Sequence, residues 1–311
     1  MPDRLRLMLR WVVTLALIVA VFWHLDQARI WAVLRTISPM ILLPVFLLTV
    51  VQVVVSAWRW RFTLSRLRLS LPLGQAVREY YLATFLNQIL PGGVAGDINR
   101  AWRSSLETGQ RLAAVHGVAI ERLSGQVTLA VVVVVALAGL LVSGSLQVTV
   151  TGPDSPNALL WIGAGLVILV PAVWLFRSGG KVAAYVRRLT EHLRLALWQW
   201  PALPVQVLSS CLVLASYLAV FLLLAASAGF VTGAVDLLLW AALGSFLLLS
   251  MVVPLTVAGW GVREGAAAVL WPMAGLPAEQ GVAISVGYGV VVLISSLPGL
   301  VVLARGTDIN R

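Results

Sequence analysis

Apolar residues run along this chain in long blocks, separated by short clusters of Arg, Gly and Pro. The blocks are Trp11–His24, Met40–Trp58, Leu112–Val142, Ala158–Phe176, Pro204–Phe230, Leu237–Val257 and Gly281–Ala304. A helix of about 20 residues crosses the ~30 Å hydrocarbon core of a bilayer, so the pattern predicts an all-α polytopic membrane protein. Arg4, Arg6 and Arg10 precede the first block, as in a signal peptide. No A-x-A-like cleavage site follows, and the block reads as a retained span. Lys181–Trp200 is different. Val182, Tyr185, Val186, Leu189, Leu193 and Leu197 fall on one helical face, with Lys181, Arg187, Arg188, Glu191 and Arg194 mostly opposite. That is the signature of an interfacial amphipathic helix.

Composition narrows the class further. Of 311 residues, 60% are hydrophobic and 11% charged, against about 25% charged in a soluble domain. A single membrane domain, 1–311, accounts for the chain. Its net charge of +10 fits the positive-inside rule and gives no reason to expect a nucleic-acid partner. The basic residues group as Arg4, Arg6 and Arg10; Arg59, Arg61, Arg66, Arg68 and Arg78; Arg100, Arg103 and Arg111; Arg177, Lys181, Arg187, Arg188 and Arg194; and Arg305 with Arg311. The loop Ser143–Asn157 has no Lys or Arg. Placing the basic groups in the cytoplasm predicts an inner-membrane protein with a cytoplasmic N-terminus.

One segment, Tyr80–Arg100, lies between two basic groups and must return to the side it entered. Its Pro91-Gly92-Gly93 break marks it as a re-entrant helical hairpin, a backbone tolerated at membrane depth only inside protein or against water. The same element occurs twice. Pro91, Val94, Ala95, Gly96 and Arg100 match Pro254, Val257, Ala258, Gly259 and Arg263 in a P-x-x-V-A-G-x-x-x-R pattern. Gly117-Val118-Ala119-Ile120 likewise matches Gly281-Val282-Ala283-Ile284. The chain therefore divides into pseudo-repeats of about 1–145 and 155–311. Each has three crossings, so the second half is inverted and its hairpin, Asp236–Gly275, enters from the opposite face. The expected fold is about six spanning helices plus two re-entrant hairpins. If Leu237–Val257 spans fully instead, the C-terminus lies outside; Arg305 and Arg311 favour the inverted arrangement. Paired broken helices in inverted repeats point to a transporter-type site near the midplane.

The hairpin tips carry the candidate chemistry. Gly92 and Gly93 permit unusual dihedrals, and Asp97 is placed as the N-cap of the second half-helix. The positive end of that half-helix, with Arg100 and then Arg103, suits a phosphodiester headgroup. The plainer reading is an Asp97–Arg100 pair across one turn. Glu121 and Arg122 lie within an apolar run, where ionisable groups are functional candidates by default; equally, Glu121 neutralises a re-entrant arginine. Asn87 and Gln88 precede the tip, and Arg263 with Glu264 repeats the logic in the second half. His24, His116 and His192 are scattered, without partners in sequence. Cys211 reads as a small packing residue. No H-E-x-x-H, G-x-S-x-G or P-loop occurs, and no acid–base pair or cofactor motif supports an enzyme.

Asn87-x-x-Leu90-Pro91-Gly92-Gly93-x-x-Gly96-Asp97-x-x-Arg100, with Glu121-Arg122 and Gly259-x-Gly261-x-Arg263-Glu264-Gly265, resembles the lysylphosphatidylglycerol synthase transmembrane region family, also described as flippase-like. The resemblance covers nearly the whole chain. It implies movement of an anionic or aminoacylated phospholipid, or a glycolipid or hopanoid-type lipid, between leaflets. The alternative is a non-transporting membrane partner that presents lipid intermediates to a glycosyltransferase or lipid-modifying enzyme, docked on the basic connections Trp58–Arg78 and Arg177–Arg194. The synthases carry a soluble aminoacyltransferase domain after the membrane part. No such domain is expected in a chain ending at Arg311, and lysyl transfer does not carry over.

Overall fold

The computed structural model describes residues 3–90, 93–142, 180–252 and 256–308. Every regular element among them is helical. Four apolar stretches have the length and hydropathy of full spans: Pro39–Arg66, Arg111–Leu140, Ala202–Ser227 and Ala278–Arg305. The protein is a polytopic all-α membrane protein. Helix α1 (Asp3–His24) is also apolar but turns by 96° into α2 (Gln27–Thr36). The sequence reading treats Leu25–Pro39 as a connection. Instead Asp26 caps a helix there, accepting hydrogen bonds from the backbone N–H groups of Ala28 and Arg29. The predicted span Ala158–Phe176 and the loop before it lie outside the described residues.

Helix α3 (Leu42–Arg66) carries a polar inner stripe. Thr49, Gln52, Ser56, Arg59 and Thr63 recur at helical spacing and all are buried. It packs against α8 (Ala202–Ser227), whose buried face brings Gln206, Ser209, Ser210 and Ser216. The Gln206 amide donates to Thr63 Oγ1 at 2.7 Å. Lipid tails give helices no hydrophobic reason to associate, so small and polar side chains hold such pairs together. Cys211, expected to pack, is exposed on α8.

Helices α4 (Leu73–Ile89) and α5 (Ala95–Thr108) fold back on each other as the first hairpin. At 17 residues, about 25 Å, α4 is short for a crossing. The hairpin closes tightly because position 96 has no side chain: a Cβ on Gly96 would strike the Ala83 backbone of α4. Helix α5 starts at Ala95, so Asp97 sits inside its first turn rather than at the cap. Asn87 of α4 takes the capping role, its side-chain oxygen accepting the Gly96 N–H at 2.8 Å.

The long α6 (Arg111–Val142) follows. Helix α7 (Gly180–Leu193) continues into a π-helical turn, Arg194–Trp198, close to the predicted amphipathic segment. Its end docks on protein: Leu193, Ala196 and Leu197 pack with Leu67 and Ile120.

The second hairpin pairs α9 (Ala234–Ser250) with α10 (Val262–Met273). Its break is strained in the described part, with positive φ at Ala258, Gly259 and Gly261. Helix α1 lies along it. Thr14 Oγ1 accepts the Val257 N–H at 3.0 Å, and a Cβ on Gly261 would meet Leu17 at 2.7 Å. The last span is α11 (Ala278–Ser296) running into α12 (Pro298–Asp308). The halves interlock: α9 packs on α6, while α4 packs on α12.

Candidate functional site

Three helices bring charge to one buried point, and a fourth adds a hydroxyl. Glu121 of α6 is fully buried and accepts from two guanidiniums, Arg59 of α3 and Arg100 of α5, the latter at 2.6 Å. The Tyr80 hydroxyl of α4 donates to the same carboxylate at 3.4 Å. Arg59 also donates to Ser210 of α8 at 2.9 Å. Arg100 is covered on its two faces by Trp60 and Tyr80, at 4.9 and 4.7 Å from the ring centroids, a cation–π arrangement that offsets part of its desolvation. Its Nε donates to Asp97 at 2.9 Å. Asp97 in turn accepts from Arg122 at 2.8 Å and from the Asn87 amide at 3.3 Å.

Three guanidiniums thus meet two carboxylates, leaving one positive charge uncompensated among the described residues of the cluster. A buried excess charge is costly unless an anion or water meets it. The place where it can be met is open. Arg122 keeps 41% of its side chain exposed and lines a cavity of about 800 Å³ between the two halves. Asn87, Gln88, Gly93 and Asp97 line it from the first hairpin, and Thr256, Ala258 and Gly259 from the second. Leu129, Leu214, Leu248 and Val252 give it an apolar portion. A site with a few converging polar groups and apolar walls has the form of a ligand pocket, and the volume is within the usual ~300–1,000 Å³.

The predicted residues therefore separate into layers. Asn87, Gly93, Asp97 and Arg122 reach the cavity. Arg100 and Glu121 stand behind them. Gly92 lies outside the described residues. Arg263 and Glu264 come together elsewhere, in a closed and buried pair. Arg263 Nη2 donates to Glu264 Oε1 at 2.7 Å, Ser285 joins at 2.9 Å, and the Gly261 N–H is held by the other carboxylate oxygen at 2.7 Å. Trp260 and Tyr288 lie over the Arg263 guanidinium as Trp60 and Tyr80 lie over Arg100. The two clusters are built alike, with a difference. Glu121 and Ser285 each follow a Gly-Val-Ala-Ile run. The carboxylate of the first half is a hydroxyl in the second, and the second cluster is neutral.

A model of the lysylphosphatidylglycerol synthase TM region family matches residues 7–299. The chain belongs to that family. No curated protein matches the chain. Membership makes this a multi-pass membrane protein of a lipid-handling family.

Sequence reasoning missed three parts of the site. Arg59 was grouped with the cytoplasmic basic residues, yet it is buried against Glu121. Its signal was its place on the polar stripe of α3. Tyr80 was only the start of a hairpin, and Ser210 an unremarked residue of a span. The histidines are also not all without partners: His116 Nδ1 and His192 Nδ1 lie 2.8 Å apart, joining α6 to α7.

Proposed function

We propose that the protein moves an anionic lipid between the leaflets of the inner membrane, with its N-terminus in the cytoplasm. The observation that carries this reading is the single surplus positive charge presented by Arg122 at the wall of a half-apolar cavity. A phosphodiester monoanion offers the planar guanidinium two acceptor oxygens, and it would neutralise the cluster. The apolar lining of the same cavity suits the first carbons of the acyl chains. The interlocked halves, each contributing a hairpin tip to the cavity, suit an alternating-access movement of one half against the other. On this reading the two hairpins enter from opposite faces.

The test is reconstitution in phosphatidylcholine vesicles with acyl-labelled phosphatidylglycerol, read by a leaflet-selective quencher. Wild type should move the label across, and Arg122→Gln should slow it at least tenfold. A wild-type rate no faster than protein-free vesicles would end this reading.

A further inference from the structure

Arg111 is the first residue of α6 and is exposed. Among the described residues it has no carboxylate partner. Its guanidinium instead lies over the ring of Trp102, 5.5 Å from the centroid. Trp102 is itself 53% exposed, so its ring is open to a ligand on the side away from α6 packing. Both residues line the same cavity as Arg122.

Helical geometry relates the two arginines. Eleven positions separate Arg111 from Arg122, about three full turns, so they share one face within about 20° and stand about 16 Å apart along the axis. Arg111 is the first residue of the apolar stretch, and Arg122 lies about three turns inside it. Between them the cavity wall of α6 is Val115, Val118 and Ala119, which offer an anion nothing. Beyond Arg122 the stripe continues to Gln126 and Leu129, with no further cation. The cavity therefore carries cationic points at two levels along α6, Arg111 and Arg122, while Arg59 lines it from α3 with its guanidinium bound to Glu121. The two on α6 differ in state. Arg122 is engaged by Asp97, whereas Arg111 rests on an aromatic face with its donors free to accept a new anion.

We propose that Arg111 and Trp102 form an outer anion station, which captures the phosphodiester of a lipid headgroup at the membrane surface before it passes inward to Arg122. The inference rests on the lipid-moving reading above. Trp102 holds the guanidinium in place and gives the headgroup glycerol an apolar ledge. The headgroup then travels three turns along α6 and displaces Asp97 from Arg122.

A phosphatidylglycerol with a photoactivatable headgroup, in phosphatidylcholine vesicles, tests this independently of transport. In Arg122→Gln the label should accumulate on the segment around 102–111. Adding Arg111→Gln should remove about nine-tenths of it, the tenfold loss expected for one charge-assisted hydrogen bond. Trp102→Leu, which keeps the charge, should lower it by a smaller factor. In the otherwise wild-type protein, Arg111→Gln should slow lipid movement about tenfold. Arg111 is exposed and has no carboxylate partner among the described residues, so its loss should leave folding intact; Trp102→Leu provides a second test at the same place. Unchanged label and unchanged rate in Arg111→Gln, with wild type active, overturn the station and leave the lipid-moving reading standing. Label at 102–111 in a protein that moves no lipid supports the station and overturns that reading. Sodium phosphate that removes the label as well as unlabelled phosphatidylglycerol does would assign the station to a soluble anion and overturn the lipid assignment.

Discussion

Arg122 reaches from α6 to Asp97 on α5, with 2.8 Å between Nη2 and Oδ2. On the proposed reading, the carboxylate occupies the place that a ligand's anion would take, and Asp97 would compete with a headgroup for the same guanidinium. Asp97→Asn should tighten binding of phosphatidylglycerol to the purified protein, whereas Arg122→Gln should weaken it about tenfold. Titration of each variant by native mass spectrometry reads both. Equal affinity in the two would break the competition argument.

Glu121 has a different task, since it pairs with the buried guanidiniums of Arg59 and Arg100. Removing one partner of a buried pair costs about 3–5 kcal/mol, because the other is left charged and unpaired. Glu121→Gln should lower stability by that order in detergent unfolding. Arg59→Met combined with Glu121→Gln should cost less than the sum of the single changes. Simple additivity would mean that the two residues are not coupled.

The two glycines near the first tip should respond differently. Gly96→Ala drives a Cβ into the Ala83 backbone and should destabilise the hairpin by about 2–3 kcal/mol. Gly93 has φ +61° and open space around it, so Gly93→Ala should cost only about 1 kcal/mol. Thermal unfolding of the two variants gives the comparison, and the reverse order would be incompatible with the packing described.

Arg263 tests the asymmetry between the halves. It lies off the cavity and is closed on Glu264 and Ser285. Arg263→Ala should reduce the yield of folded protein and leave lipid affinity of the folded fraction within about twofold, since uninvolved distant sites act independently. A large affinity loss without loss of stability would place Arg263 in the binding path.

The spans were legible in the sequence because hydrocarbon thickness sets a length that apolar runs must meet. The hairpin at 80–100 was legible too, because Pro91 and the glycines broke a run flanked by arginines. Arg59 was not. Trp58-Arg59-Trp60-Arg61 has the appearance of a basic edge, and charge counting cannot distinguish its members. The helix turns by about 200° between Arg59 and Arg61, which sends the first to Glu121 and the second to the Leu71 carbonyl. The His116–His192 contact joins residues 76 apart, and no local pattern announces it. Asp97 was assigned the cap by its residue type, but Asn87 of the opposing half-helix reaches the first turn instead.

The odd arginine of the cluster has an electrical consequence. Empty, the cluster holds one net positive charge about three turns inside α6; on the lipid-moving reading, with a monoanion bound it holds none. A membrane voltage acts on charge that moves, at about 2.3 kcal/mol per elementary charge and 100 mV. A loaded protein would thus change state without regard to the field. The empty one would feel it on the way back, so the resting potential would set the pace of the return stroke.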